Sequence, residues 1–274
     1  MQISTNINAL NALKGIYAAN AVMSQASERI STGLRINHAS DDPAGLGVAN
    51  RLKTQVGSFN KVLDNLSQGT AVTQIVDDSL SQISDLLSYV RVAAVASESS
   101  TLATSDRTAY QDAIDAYVDE IDSISSNAVW NSSSLMSTSS SMTIQSGINS
   151  GDTTSLSFDK ITASELGVSS LSVSSADNAT TAVTAIDVAI AAVSTYQAYI
   201  GAKANVLDVQ TNLATSNVTN YSVAYGKIMN ADMAQETSNL ASAQIQRDAA
   251  TAMLAQSGSM NKELVSYLLK SVMN

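Results

Sequence analysis

The stretch from Val62 to Ser97, VLDNLSQGTAVTQIVDDSLSQISDLLSYVRVAAVAS, decides the fold. Its apolar and small residues stand at Val62, Leu66, Gly69, Thr73, Val76, Leu80, Ile83, Leu87, Val90, Ala94 and Ser97, in steps of three and four. That spacing keeps one side of an α-helix apolar. At 1.5 Å per residue it predicts a rod of roughly 50 Å. One narrow stripe cannot bury itself, so the rod requires partner helices.

The same stepping recurs outward in both directions. Upstream it reads Ala9, Leu13, Ile16, Asn20, Met23, Ser27, Ile30, Leu34. Downstream come a shorter, outwardly acidic arm (Tyr110, Ile114, Tyr117, Ile121, Ile124, Ala128), a long seam from Ile186 to Ile228, and a last one at Ala250, Met253, Ser257, Met260, Leu264, Tyr267 and Ser271. Residues 131–181 break the pattern, with 24 of 51 being Ser or Thr. There "MTI" (Met142 to Ile144) and "LSF" (Leu156 to Phe158) flank "NSGD", which predicts a β-hairpin with Gly151 in its turn. The run "SSSLMSTSSS" before it reads as a flexible, exposed connector, and Gly167 marks a second turn. The expected class is mainly α: elongated out-and-back helical rods, paired terminal coiled-coil helices, and a small β-hairpin region near the tip. The expected division is a terminal coiled-coil domain of residues 1–36 plus 240–274, and an outer rod of 37–239.

Composition supports helix. The 274 residues include one proline and 4% aromatics, so long helices meet almost no breaker. Charged residues are 14% and the net charge is -10, which leaves no basic stripe for phosphates and argues against nucleic acid. Cysteine is absent, which removes disulfides and thiolate metal sites. The opening MQISTNINALNALKG has neither a basic start nor a long apolar core, and no run approaches the ~18 apolar residues of a membrane span. Export without a cleaved signal, and no membrane insertion, are the expectations. From Met1 to Leu34 only Lys14, Glu28 and Arg29 are charged, and from Leu240 to Asn274 only Arg247, Asp248, Lys262, Glu263 and Lys270. Faces of Ala, Ser, Asn and Gln suit burial against neighbouring subunits better than water. Such weak seams also predict ends that order only on assembly.

INHASDDPAGLGVANR, Ile36 to Arg51, gathers the only histidine (His38), the only proline, an acid pair and a Gly-x-Gly. One histidine and no cysteine exclude zinc clusters and Cys/His dyads, and no Gly-x-Ser-x-Gly elbow accompanies His38. No enzyme, metal or cofactor is implied. Gly45 and Gly47 follow a polar loop rather than a buried strand, so a dinucleotide loop does not fit. The helical reading does: Asp41 or Asp42 caps a helix started by Pro43, with the two glycines allowing close helix packing. His38 finds no sequence partner that would make it reactive.

ISTNINALNAL (Ile3 to Leu13), RISTGLRINHASDDPAGLGVANRLKTQ (Arg29 to Gln55), LSYVRVAAVAS (Leu87 to Ser97), INSGD (Ile148 to Asp152), ELGVSSLSV (Glu165 to Val173), TAIDVAIAAVS (Thr184 to Ser194) and NADMAQETSNLASAQIQRDAATAMLAQSGSMNKELVSYLL (Asn230 to Leu269) together resemble the bacterial flagellins. The likeness runs along essentially the entire chain. It implies a structural subunit exported unfolded and polymerised with itself into an extracellular flagellar filament that serves motility. It also implies dealings with the flagellar export apparatus and its chaperone, cap and junction proteins. Terminal helices of the family form an inner tube, rods an outer one, and the β-hairpin is associated with protofilament switching. The resemblance and the sparse charge together set self-assembly seams at Ile3, Ile7, Leu10, Leu13, Ile16, Met23, Ile30 and Leu34, and at Met253, Met260, Leu264, Tyr267 and Leu268. Asp42 and Pro43 start the rod helix. Only about fifty residues separate the rods where many members insert large outer domains, which implies a thin, smooth filament. Members seen by the vertebrate innate receptor carry an Arg where Tyr89 stands, a Leu where Ala93 stands and a Glu near Ala113. Arg91, a rod contact, is what remains of that patch, so weak recognition is expected. A hook-filament junction protein and a surface adhesin are the rival readings; the second lacks an aromatic platform beyond Trp130 and Phe158.

Overall fold

A computed structural model describes the backbone of residues 6–272, and the side chains within that range except Leu264, Leu268 and those beyond residue 270. Among the described residues 74% are helical, in long helices beside small antiparallel strand pairs. In order come α1 (Ile7–Thr32), α2 (Pro43–Ser97), α3 (Thr104–Asn127), β1 (Val129–Trp130), β2 (Ser133–Ser134), β3 (Ser140–Gln145), β4 (Thr153–Phe158), α4 (Ala176–Met229) and α5 (Met233–Val272). Two compact units divide them: unit 1 holds residues 1–54 and 220–274, and unit 2 holds 55–219. The division falls inside α2 and α4, whereas the sequence expectation concerns layers of an assembly.

Unit 2 is built on the decisive stretch. All eleven of its seam residues, Val62 to Ser97, are buried, so the stepping alone located the inner side of α2. α4 answers with Ala182, Ile186, Ala189, Val193, Tyr196, Ile200 and Leu207, and α3 with Ile114, Val118 and Ile121. At the end of α2, Arg107 of α3 is buried and donates from Nη1 to the Ser97 carbonyl and from Nη2 to the Ser99 carbonyl, the latter at 2.7 Å. A cation thus satisfies carbonyls that the helix end leaves free.

The β3–β4 hairpin pairs Met142 with Leu156 and Ile144 with Thr154, and Gly151 turns it at φ 93°. It lies on the helices through one close approach. A Cβ on Gly69 of α2 would overlap Cδ1 of Ile144 and stand 3.5 Å from Leu207 Cδ1, so any side chain there would force Ile144 out of its present seat. Hydrogen bonds finish the seat. Tyr199 and Tyr196 hydroxyls accept from the backbone N–H groups of Ser157 and Asp159 at 3.1 and 3.0 Å, and Thr154 bonds Gln210.

Two departures have physical reasons. The run expected as an exposed connector instead carries buried Leu135 and Met136, and Met136 O accepts from Ile161 N at 2.8 Å. Ahead of them Asn131 and Ser132, both at positive φ, turn β1 into β2. Asn tolerates that conformation nearly as well as Gly, so the hairpin formed without the usual Asn-Gly signal. Second, one 18-residue window of α4 reaches a mean hydropathy of 1.3, with a third of it buried. By length and composition α4 is therefore apolar enough to span a membrane, against the expectation; it is apolar on more than its packed side.

Candidate functional site

The ends of the chain meet in unit 1, where α1 and α5 pack on each other. Their buried residues are Ala12, Ala19 and Ala26 on α1 and Glu236, Ala243, Ala250 and Ser257 on α5. Both sets repeat every seventh residue. Small side chains let backbones approach, and among the described helices α1 and α5 are the pair whose Cα atoms come repeatedly within 8 Å. Gly15 contributes, since a Cβ there would stand 3.5 Å from Ala250 Cβ. Within one chain the two ends thus form a pair of packed helices.

Alanines hold the pair, and so the larger apolar residues face outward. Ile7 (63% exposed), Leu10, Leu13, Tyr17 (66%) and Val22 on α1 lie in solvent, as do Ile245 (70%), Met253, Met260, Val265, Tyr267 (76%) and Leu269 on α5. Ile16, Met23, Ile30 and Leu34 are half-buried. Ile3 lies outside the described residues, as do the side chains of Leu264 and Leu268. The expected seam residues therefore fall on two surfaces, one flanking the alanine contact and one open. Sequence reading missed Ala12, Ala19 and Ala26; their strict seven-residue repeat was the signal that could have found them.

Polar contacts fix the two ends of the pair. Asn6 caps α1, its Oδ1 accepting from Ala9 N at 3.0 Å, while its Nδ2 donates to Ser257 O at 3.2 Å. Arg29 Nη1 meets Glu236 Oε1 at 3.1 Å, with Glu236 buried and also accepting from Asn239.

Beyond Gly33, which ends α1 at φ 72°, the chain runs beside the segment between α4 and α5. Arg35 N donates to Met229 O at 2.6 Å and Ala231 N to Gly33 O at 2.9 Å. The Arg35 guanidinium donates twice to Ile228 O, at 3.2 and 2.9 Å. Ile36, Ala49 and Met229 close a small core over this joint.

The residues of the acid pair have separate tasks. Asp41 Oδ2 accepts from His38 N and Asn37 N at 2.9 and 3.0 Å, and those two bonds hold its carboxyl below the usual carboxylate range. Asp42 Oδ1 accepts from Gly45 N at 2.8 Å and caps α2, which opens at Pro43. A Cβ on Gly45 would overlap the Asp42 carboxylate, while one on Gly47 meets nothing within 4 Å. The expected helix packing is thus absent at both glycines: Gly45 makes room for the cap. His38 is not solitary either; its Nε2 lies 2.8 Å from Glu28 Oε1, in an exposed pair.

On the rod, Arg91 Nε donates to Asp187 Oδ1 at 2.6 Å and ties α2 to α4. Tyr89 lies 5.9 Å from Tyr117, ring centre to ring centre, and Ala93 is buried. Among the described residues, no group of three His, Asp or Glu gathers to hold a metal.

Comparison with known proteins adds to this geometry. The bacterial flagellin N-terminal helical region matches residues 3–141, and the bacterial flagellin C-terminal helical region matches residues 183–268. A flagellin of Halalkalibacterium halodurans is 29% identical over 98% of this chain and 100% of its own length. A flagellar filament core protein of Brachyspira hyodysenteriae is 29% identical over 96% of this chain and 98% of its own. Among solved structures, Bacillus cereus flagellin aligns with a TM-score of 0.51 at 27% identity, covering 59% of this chain and 94% of that one. A hook-associated protein from Vibrio parahaemolyticus aligns at 0.58 with 16% identity, over 69% of this chain and 100% of that one, a likeness of fold.

Proposed function

The chain belongs to the bacterial flagellin family, and from that premise we propose that its paired ends, residues 1–36 and 240–274, build the inner tube of a homopolymer while residues 37–239 form the layer outside it. The protein is a structural subunit of the flagellar filament, an extracellular surface structure of motility. One observation carries the assignment of the ends: α1 and α5 spend their alanines on each other and hold Ile7, Leu10, Tyr17, Ile245, Met253 and Tyr267 in solvent. Scattered apolar residues on a surface are ordinary, but two adjacent helices lined with them mark an interaction surface. Neighbouring copies supply the cover. Each large aliphatic or aromatic side chain buried in this way contributes about 1.5–3 kcal/mol, and a polymer multiplies that along its length.

The same reading brings the export apparatus, its chaperone, and the cap and junction proteins as partners during secretion and growth. It also takes the helices as structure, with no membrane insertion: the apolar window of α4 lies on a helix that packs in unit 2 and ends at the joint.

Deleting Leu240 to Asn274 tests the proposal. Unit 2 keeps its core in that variant, so the protein should remain helical by circular dichroism yet form no polymer under conditions that assemble the full chain. Filaments of normal length from the truncated chain would refute the inner-tube role.

A further inference from the structure

Unit 2 presents two outward helix faces of opposite chemistry. On α3, Asp112, Asp115 and Asp119 recur in steps of three and four, all exposed, while Asp122 at the next step accepts at Oδ1 from the Ala163 backbone N–H at 2.7 Å. Arg107, the cation of that helix, is buried elsewhere, and no ion pair reaches the stripe among the described residues. This is a face built for water.

On α4 the side turned from the buried seam carries Val188, Thr195, Ala202, Val206, Val209 and Leu213, all exposed, with Val209 at 67% and Leu213 at 61%. Between Val188 and Leu213 the helix has two charges, Lys203 and Asp208. At 3.6 residues per turn Asp208 falls about 100° from the nearest residue of the stripe, and Lys203, about 60° from Val206 at the stripe's edge, lies over the Tyr199 ring. A helix face that remains in water ordinarily carries charge; this one runs for roughly 38 Å without any. The same lack of charge brings a window of α4 to its high hydropathy.

The charge of the unit identifies the occupant. Unit 2 holds five Lys and Arg against seventeen Asp and Glu, so two copies repel wherever their acidic faces approach. The outer side of α4 is where approach costs least. An open helical polymer needs two different patches on each copy, and the same unit offers a second one on α2, where Tyr89, Val92 and Val95 are exposed.

We propose that the outer face of α4 from Val188 to Leu213 is a contact between the rod units of neighbouring copies, and that the α3 aspartate stripe faces solvent. This rests on the reading of the chain as a filament subunit, and it says which side of the rod meets the next copy.

The chain has no cysteine, so single thiols report cleanly. Val209→Cys and Asp119→Cys are each labelled with a maleimide as folded monomer and as polymer. Labelling at 209 should slow by at least about tenfold on assembly, because a packed interface excludes the reagent along with water, while labelling at 119 stays unchanged. Equal rates at 209 in the two states, or equal slowing at both sites, would overturn the proposal. Should Val209→Cys fold but fail to polymerise while Asp119→Cys assembles, that too supports the contact. A wild-type chain that never polymerises would instead contradict the filament reading.

Discussion

Asp42 holds the start of α2 with a single hydrogen bond to Gly45 N. Asp42→Ala should lower stability by about 1 kcal/mol, the usual worth of an N-cap, read as a shift in the thermal midpoint. Tyr196 offers a sharper handle. Burial pushes its phenol up to about 12 from the ordinary 10.0. The unfolded chain releases that proton first, so the contribution of Tyr196 is whole below pH 10 and fades as pH rises toward 12. Tyr196→Phe should cost about 1 kcal/mol at neutral pH by orphaning Asp159 N–H, and should flatten the loss of stability between pH 10 and 12. Parallel pH–stability curves for the two proteins would count against this account. His38 shows where sequence stops at this scale. Its partner Glu28 sits ten residues upstream, across a turn whose shape depends on Gly33 and Asp41, and no spacing rule joins them.

At the scale of elements, legibility followed side-chain size. The α2 seam was readable because Leu, Ile and Val at steps of three and four bury large areas, and every seam position proved buried. The α1–α5 contact was not. Alanine buries little area, so Ile7, Leu10 and Leu13 dominate the pattern of α1 although they face out. A seam designed for a neighbour reads the same as one designed for the chain itself. The β1–β2 hairpin and buried Leu135 and Met136 were hidden by the serines around them. Two substitutions separate the alanine contact from its alternatives. Gly15→Ala has room beside Ala250 and should stabilise α1 by about 1 kcal/mol through helix propensity. Ala19→Leu should overpack the seam, cost about 1–3 kcal/mol and expose α5 to limited proteolysis. Equal protease resistance in both variants would show that the alanines are not the contact.

The whole molecule combines a rod unit of high acidity with a unit of the ends that is close to balanced, nine Lys and Arg against seven Asp and Glu. The rod keeps its own core, whereas α1 and α5 hold each other mainly through alanines and leave many of their large apolar residues for others. That division of labour is what a polymer subunit requires, because a chain that satisfied every apolar face alone would have no reason to assemble. The most direct measurement is a helical reconstruction by cryo-electron microscopy of the polymer grown from purified chain. The expected result is a tube in which Ile7, Leu10, Tyr17, Ile245, Met253 and Tyr267 pack against neighbouring copies. A polymer that leaves these side chains in water, or joins copies solely through the rods, would contradict it.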